Sequence, residues 1–256
     1  MTDSGIYRGP PMIKPIWTQT YDVNTIVLDS QKRLGLFGLL NLLQDTAWLH
    51  AQHLGWGYDD LIRAGTIWVL VRQKLVTADW PVWGDKVLVR TWPRGATGAL
   101  ALREFEFFVE DRKIGECSTS WMILDGQTRR PQKLDRATFT QFSRTEGYLN
   151  IEAGKIALRT DLKQVATFQV RNSDLDVNGH TNNTRFAQWI TDSMSPEELA
   201  TSKIDEYEVN FLLEARVGDE IVVERGEVAP GHLQFQGRRT GESKAVFAAS
   251  LRVSPR

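Results

Sequence analysis

Cysteine is nearly missing from this chain: Cys117 is the only one in 256 residues. A single thiol excludes an intramolecular disulfide and a cysteine-rich zinc site, and it fits a reducing, cytoplasmic setting. Cys117 falls in an alternating strand pattern, which makes it a packed residue rather than a nucleophile. Histidine is scarce too, with four in the chain and none at paired metal-ligand spacing, so neither a metal nor another cofactor is expected. No apolar run reaches the roughly eighteen residues of a membrane-spanning helix. Residues 1–15 have no apolar run either, and read as a flexible lead-in rather than a signal peptide or anchor. A net charge of -1 gives no general pull toward nucleic acid or anionic membrane, so any electrostatic partner must be met by a local patch.

What is present is a soluble globular composition, 41% hydrophobic and 25% charged, long enough for one large domain or two of about 100–130 residues. Its most informative stretch runs from Asn172 to Asp192. Asp174, Asp176, Asn178, His180, Asn182 and Asn183 crowd its first half, and Phe186, Trp189 and Ile190 follow at helical spacing. Such a polar cluster closes a loop and starts a helix, with Gly179 allowing a sharp turn. In an extended loop, Asp176, Asn178 and His180 at i, i+2 and i+4 point the same way. An acid, an amide and an imidazole converging beside a helix start suit hydrolysis of an acyl group.

The run Asp174 to Asn183, with Trp189-Ile190 after it, resembles the signature of acyl-acyl-carrier-protein (acyl-ACP) thioesterases of the plant and bacterial fatty-acid type. Ile67 to Arg72, Pro81 to Asp85 with Val87 to Trp92, and Ser120 to Arg130 resemble that family too, in its order, so the likeness covers roughly Trp17 to Val253. By motif match Asp176, Asn178 and His180 correspond to the family's catalytic Asp, Asn and His. Asn210 to Ala215 resembles the segment in which a catalytic Glu precedes Cys. Here Glu214 keeps the acid and Ala215 replaces the thiol, so either water is the nucleophile or the protein is inactive. The resemblance implies hydrolysis of fatty acyl-ACP to free fatty acid and holo-ACP without an acyl-enzyme, with acyl carrier protein and its phosphopantetheine-linked chain as partner. Glu214 or Asp176, with or without His180, is the base.

The pattern along the chain fits that implication. A strand-like stretch from Ile16 to Leu28 leads to an apolar run, Leu34 to Leu54, hydrophobic on nearly every side and therefore expected to be buried on nearly every side. Four strand candidates follow, at Ile67–Thr77, Lys86–Trp92, Ala99–Val109 and Lys113–Leu124. The second half repeats the order, from Phe168 through the motif helix to strands at Ile204–Leu213, Ile221–Val228, Leu233–Arg238 and Ala245–Val253. The fold expected is α+β, a tandem double hotdog in which each half is a curved antiparallel sheet wrapped around a long hydrophobic helix. Its divisions are residues 16–125 (acyl-chain binding), a linker at 126–163, and 164–256 (catalytic). Gly84-Asp85 matches Gly218-Asp219, and Gly35 and Gln44 fall in register with Gly179 and Gln188, an internal duplication. That register sets Leu34 and Leu36 against Asn178 and His180, leaving polar chemistry at the second helix start alone.

The linker is rich in basic residues, and Arg129, Arg130, Lys133 and Arg136 form a candidate patch for the acidic carrier protein, against the ordinary reading of a solvated face. Other readings keep the fold and change the chemistry, to an acyl-CoA thioesterase, a hotdog hydratase or dehydratase, or a non-catalytic acyl-ACP or lipid-binding module. A duplication supplies internally what a hotdog homodimer supplies by pairing, and further homodimerisation stays open.

Overall fold

The computed structural model describes residues 14–134, 143–144 and 147–256; Arg136 of the expected carrier patch lies outside them. The first half supplies β1 (Trp17–Asp22), β2 (Thr66–Thr77), β3 (Lys86–Thr97), β4 (Leu100–Val109) and β5 (Arg112–Asp125). The second supplies β6 (Lys163–Gln169), β7 (Ser202–Phe211), β8 (Glu220–Ala229), β9 (His232–Arg239) and β10 (Ala245–Pro255). These strands pair antiparallel in one sheet, ordered β1-β3-β4-β5-β2-β7-β10-β9-β8-β6. Outward from the β2–β7 seam the two halves have the same order, and two helices lie against the sheet: α1 (Leu36–His53) and α3 (Asn183–Asp192). The protein is a tandem double hotdog. Two short helices, α2 (Tyr58–Ala64) and α4 (Pro196–Thr201), lead into β2 and β7.

The seam joins Arg72 opposite Asn210 through Val76 opposite Glu206. Across it Lys74 reaches Glu206 at 3.1 Å and Glu208 at 3.5 Å, and the Trp80 indole donates to the Ile204 carbonyl at 2.9 Å. One hydrophobic core runs through both halves, from Leu39 and Leu43 of α1 to Phe186 and Ile190 of α3. Truncating one of those leucines to alanine costs about 2–5 kcal/mol.

One expectation changes. Leu36, Leu39, Leu40, Leu43 and Ala47 of α1 are buried, but Trp48 is 43% exposed, because that face of the helix borders a cavity instead of packed protein. On β10, Ala245 to Ala249 are all buried, so both faces of the strand are covered there. The linker covers them: Asn210 donates to the Gly154 carbonyl at 2.8 Å, Gln234 to that of Ala157 at 2.6 Å and Gln236 to that of Arg159 at 3.0 Å. Hydrogen bonds from strands flanking β10 thus satisfy a connector whose sequence has no periodicity of its own.

The duplication is visible atom by atom, in a register three residues away from the one read in the sequence. Leu28 bridges to Leu34 as Leu175 bridges to Thr181, and Gly35 and Asn182 are the two N-caps. Val23 N–H meets the Asp85 carbonyl at 2.9 Å, and Val170 N–H meets that of Asp219 at 2.8 Å. The counterparts of Asn178 and His180 are therefore Gln31 and Arg33, not Leu34 and Leu36. Matching the glycines aligned the sequences by composition, whereas the hydrogen bonds align them by geometry. Both helix starts are polar; the first has an arginine in place of the imidazole.

Candidate active site

The segment from Leu175 to Thr181 is a closed turn rather than the extended loop expected. Asp176 N–H donates to the His180 carbonyl at 2.8 Å, and Gly179 N–H donates back to the Asp176 carbonyl at 3.0 Å. One carboxylate oxygen of Asp176 accepts from the N–H groups of Asn178 at 2.8 Å and His180 at 3.2 Å. Gly179 has φ of 74°, the left-handed conformation that glycine adopts at no steric cost. Three alternating side chains are thus not aligned by strand periodicity. They are set by an aspartate that holds its own backbone, and that function occupies one oxygen of Asp176. Asn182 then caps α3, its side chain accepting from Thr184 N–H, so the helix starts three residues beyond His180.

His180 and Glu214 do come together. Thr181 lies beside Ala215, donating to its carbonyl from N–H at 3.0 Å and from the hydroxyl at 2.9 Å. That pairing brings His180 Nε2 to 3.4 Å from Glu214 Oε2. Two arginines hold the same carboxylate: Arg129 at 3.3 Å from Oε1 and Arg216 at 3.2 Å from Oε2. Arg129 Nη2 also lies 3.5 Å from His180 Nε2. Of the basic residues expected to form a carrier patch, Arg129 therefore turns toward Glu214 and His180, while Arg130 and Lys133 are exposed. Sequence reasoning had no pattern for this contact. The available signal was Asp125-Gly-Gln-Thr, a turn in which the Asp125 carboxylate accepts from Gln127 and Thr128 N–H. That turn leaves Arg129 at φ 58°, off the end of β5.

A cavity of about 770 Å³ opens at the turn. The second half contributes Leu175, Asp176, Val177, Asn178, Asn182 and Asn183 to its wall; the rest is from the first half. The long face of α1 lines it from Asn41 to Ala51, opposite Trp68, Trp121 and Arg103, and Trp48 stacks on Tyr58 with ring centres 6.0 Å apart. Thr184 donates to Asn41 at 3.0 Å, fixing the start of α3 against the near end of this wall. The size and the aromatic lining suit one flexible apolar ligand. Cys117 is far from this chemistry by environment: it is fully buried, and burial pushes its thiol up to about 12. Among the described residues no group of histidine, cysteine and acids is arranged to hold a metal.

A family model described as the acyl-ACP thioesterase N-terminal domain matches residues 14–141, and another for the C-terminal domain matches residues 158–247. The chain belongs to the acyl-ACP thioesterase family. Among relatives in this family, an oleoyl-acyl carrier protein thioesterase of Arabidopsis thaliana, chloroplastic by name, is 25% identical over 93% of this chain and 72% of its own length. A palmitoyl-acyl carrier protein thioesterase of Cuphea hookeriana, also chloroplastic by name, is 25% identical over 74% of this chain and 49% of its own. The chain thus spans about half the length of several curated relatives that it matches. Among solved structures, an acyl-ACP thioesterase from Bacteroides thetaiotaomicron superposes with a TM-score of 0.86 at 26% identity, covering 94% of this chain and 98% of that one. The 12:0-ACP thioesterase of Umbellularia californica shares the fold at a TM-score of 0.85 and 16% identity, over 96% and 99% of the two chains.

Proposed function

We propose that this acyl-ACP thioesterase hydrolyses fatty acyl-ACP by direct attack of water, with Glu214 as base, His180 beside it, Asn178 as oxyanion donor and Asp176 holding the turn. The observation that carries the reading is the Asp176–His180 turn, which lines an aromatic-walled cavity with Asp176 and Asn178 and, two residues on, sets His180 against Glu214. The acyl chain lies in the cavity of the first half and its thioester at the turn of the second. Water gives a proton to Glu214 as its oxygen bonds to the thioester carbon. The carbonyl becomes an oxyanion that the Asn178 amide meets, a donor worth about 3–4 kcal/mol in the transition state. Collapse breaks the C–S bond, and the phosphopantetheine thiolate takes up the proton by way of Glu214 and His180.

Asp176 is the weaker candidate for the base, because one of its oxygens already accepts two backbone N–H groups. Ala215 offers no thiol, and its buried side chain leaves the adjoining Glu214 to act on water. Arg130 and Lys133 remain a docking patch for the acidic carrier protein, with an affinity that falls as salt rises. A homodimer is not required, since one chain holds both hotdog halves. The cytoplasmic setting read from the lone cysteine belongs to this proposal, and fractionation of the source cells with immunodetection tests it.

The deciding experiment is thiol release from a ladder of acyl-ACP chain lengths, with matched acyl-CoA substrates and Glu214→Gln alongside. Release from acyl-ACP that the variant loses supports the reading. Preference for acyl-CoA transfers the activity to that substrate, and binding without thiol release by the wild type leaves a carrier module instead of an enzyme.

A further inference from the structure

The cavity wall holds a buried guanidinium. Arg103 of β4 lines it and is only 8% exposed, and no carboxylate pairs with it among the described residues. Asp45, on the same wall, accepts from Tyr21, and Asp176 is engaged with the turn. Glu104, next in sequence, faces the other side of the sheet, toward the Trp92 indole and Leu149 N–H. Two neutral acceptors hold Arg103: its Nη1 lies 3.0 Å from His50 Nδ1 and 3.2 Å from the Thr91 hydroxyl. His50 Nε2 lies 2.9 Å from the Lys14 carbonyl, which can only accept, so the ring proton sits on Nε2 and Nδ1 presents its lone pair. Both of these contacts use Nη1. The Nε and Nη2 donors make no hydrogen bond among the described residues.

Position along α1 gives the depth. Asn41 sits against the motif helix and His50 holds Arg103, nine positions further on, which at about 1.5 Å per residue is roughly 14 Å of helix. Carbon–carbon bonds of about 1.5 Å advance about 1.25 Å each along an extended chain, so this depth matches about ten to twelve carbons. A methyl end placed there would shut water away from the guanidinium donors and leave them without acceptors, a costly arrangement.

We propose that Arg103 is a specificity residue, and that the site takes acyl chains bearing an oxygen function, hydroxyl or carbonyl, about ten to twelve carbons from the thioester. The proposal rests on the thioesterase reading for the identity of the head group. The oxygen accepts from Nε or Nη2 of Arg103, and Ala47 and Trp48 of α1, with Trp68 and Trp121 opposite, cover the methylenes between.

The test compares 12-hydroxydodecanoyl-ACP with dodecanoyl-ACP as substrates of the full chain. In parallel, calorimetry measures binding of the free 12-hydroxydodecanoate and dodecanoate to the wild type. The expected result is a preference of about tenfold or more for the hydroxylated chain in kcat/KM and in affinity, as a hydrogen bond to a charged donor supplies. Arg103→Met is expected to bring the ratio to one or below, and 3-hydroxydodecanoyl-ACP to gain nothing in the wild type. Equal or better use of the plain chain by the wild type overturns the proposal, as does a preference that survives in Arg103→Met. Should that variant not fold, the wild-type affinity ratio decides by itself. Hydrolysis of both chains without discrimination defeats this inference and leaves the thioesterase reading standing. No hydrolysis, with tenfold tighter binding of the hydroxy acid, does the reverse.

Discussion

Asp29 and Asp176 make the same turn. Asp29 accepts from the N–H groups of Gln31 at 2.8 Å and Arg33 at 3.0 Å, as Asp176 accepts from Asn178 at 2.8 Å and His180 at 3.2 Å. Lys32 takes the left-handed place of Gly179, with φ of 59° against 74°. The difference lies in what the turns carry. The first presents Arg33, whose guanidinium folds back on Asp29 at 2.9 Å, and the second presents His180 to Glu214.

Asp29→Ala and Asp176→Ala are therefore expected to cost similar stability, about 1–2 kcal/mol each, the scale of a lost cap. Only Asp176→Ala should also cut thiol release, by tenfold or more. Urea unfolding beside a steady-state assay checks this, and equal loss of activity in both variants would remove the distinction between the copies.

His180→Ala and Asn178→Ala are each expected to lower kcat by about a hundredfold or more. Both residues are at least partly exposed, so stability should change by less than about 1 kcal/mol. Thermal melts with single-turnover assays separate the effects. If lost activity follows lost stability, the residues only shape the loop.

Restoring the family's thiol is expected to do little. Ala215 is buried and its carbonyl is bonded to Thr181, so the sulfur of Ala215→Cys would sit in packed protein. Activity should stay within about threefold, and overpacking should cost about 1–3 kcal/mol. Intact-protein mass spectrometry during turnover is the check: an acyl adduct on the variant would refute water as the sole nucleophile.

Burial, helped by the Arg103 charge, holds the His50 ring down to about 3, against 6.5 when unfolded. Between those values the native state binds fewer protons than the unfolded chain. Stability from this group is thus complete above pH 6.5 and is lost as pH falls toward 3, by an amount on the order of 5 kcal/mol. His50→Asn, which cannot titrate, should show a shallower acid loss. Urea titrations at pH 7, 5 and 4 test it, and parallel curves for the two proteins would show that His50 contributes nothing to the acid limb.

The alternating strands, the apolar α1 run and the Asp174–Asn183 signature were legible in the sequence because each is a local pattern with its own period or spacing. Local chemistry also singled out Asp176, Asn178 and His180 as candidates, and the family resemblance added Glu214. The true register between the halves was not legible, since Asp29-Ser-Gln-Lys-Arg33 and Asp176-Val-Asn-Gly-His180 share hydrogen bonds but only one residue type. Tertiary structure alone decided that Arg129 reaches Glu214, that His50 holds Arg103 at the wall of a cavity, and that the linker closes over β10. Those contacts join residues 53 to 85 positions apart, and at such separations only the packing of the sheet sets which side chains meet.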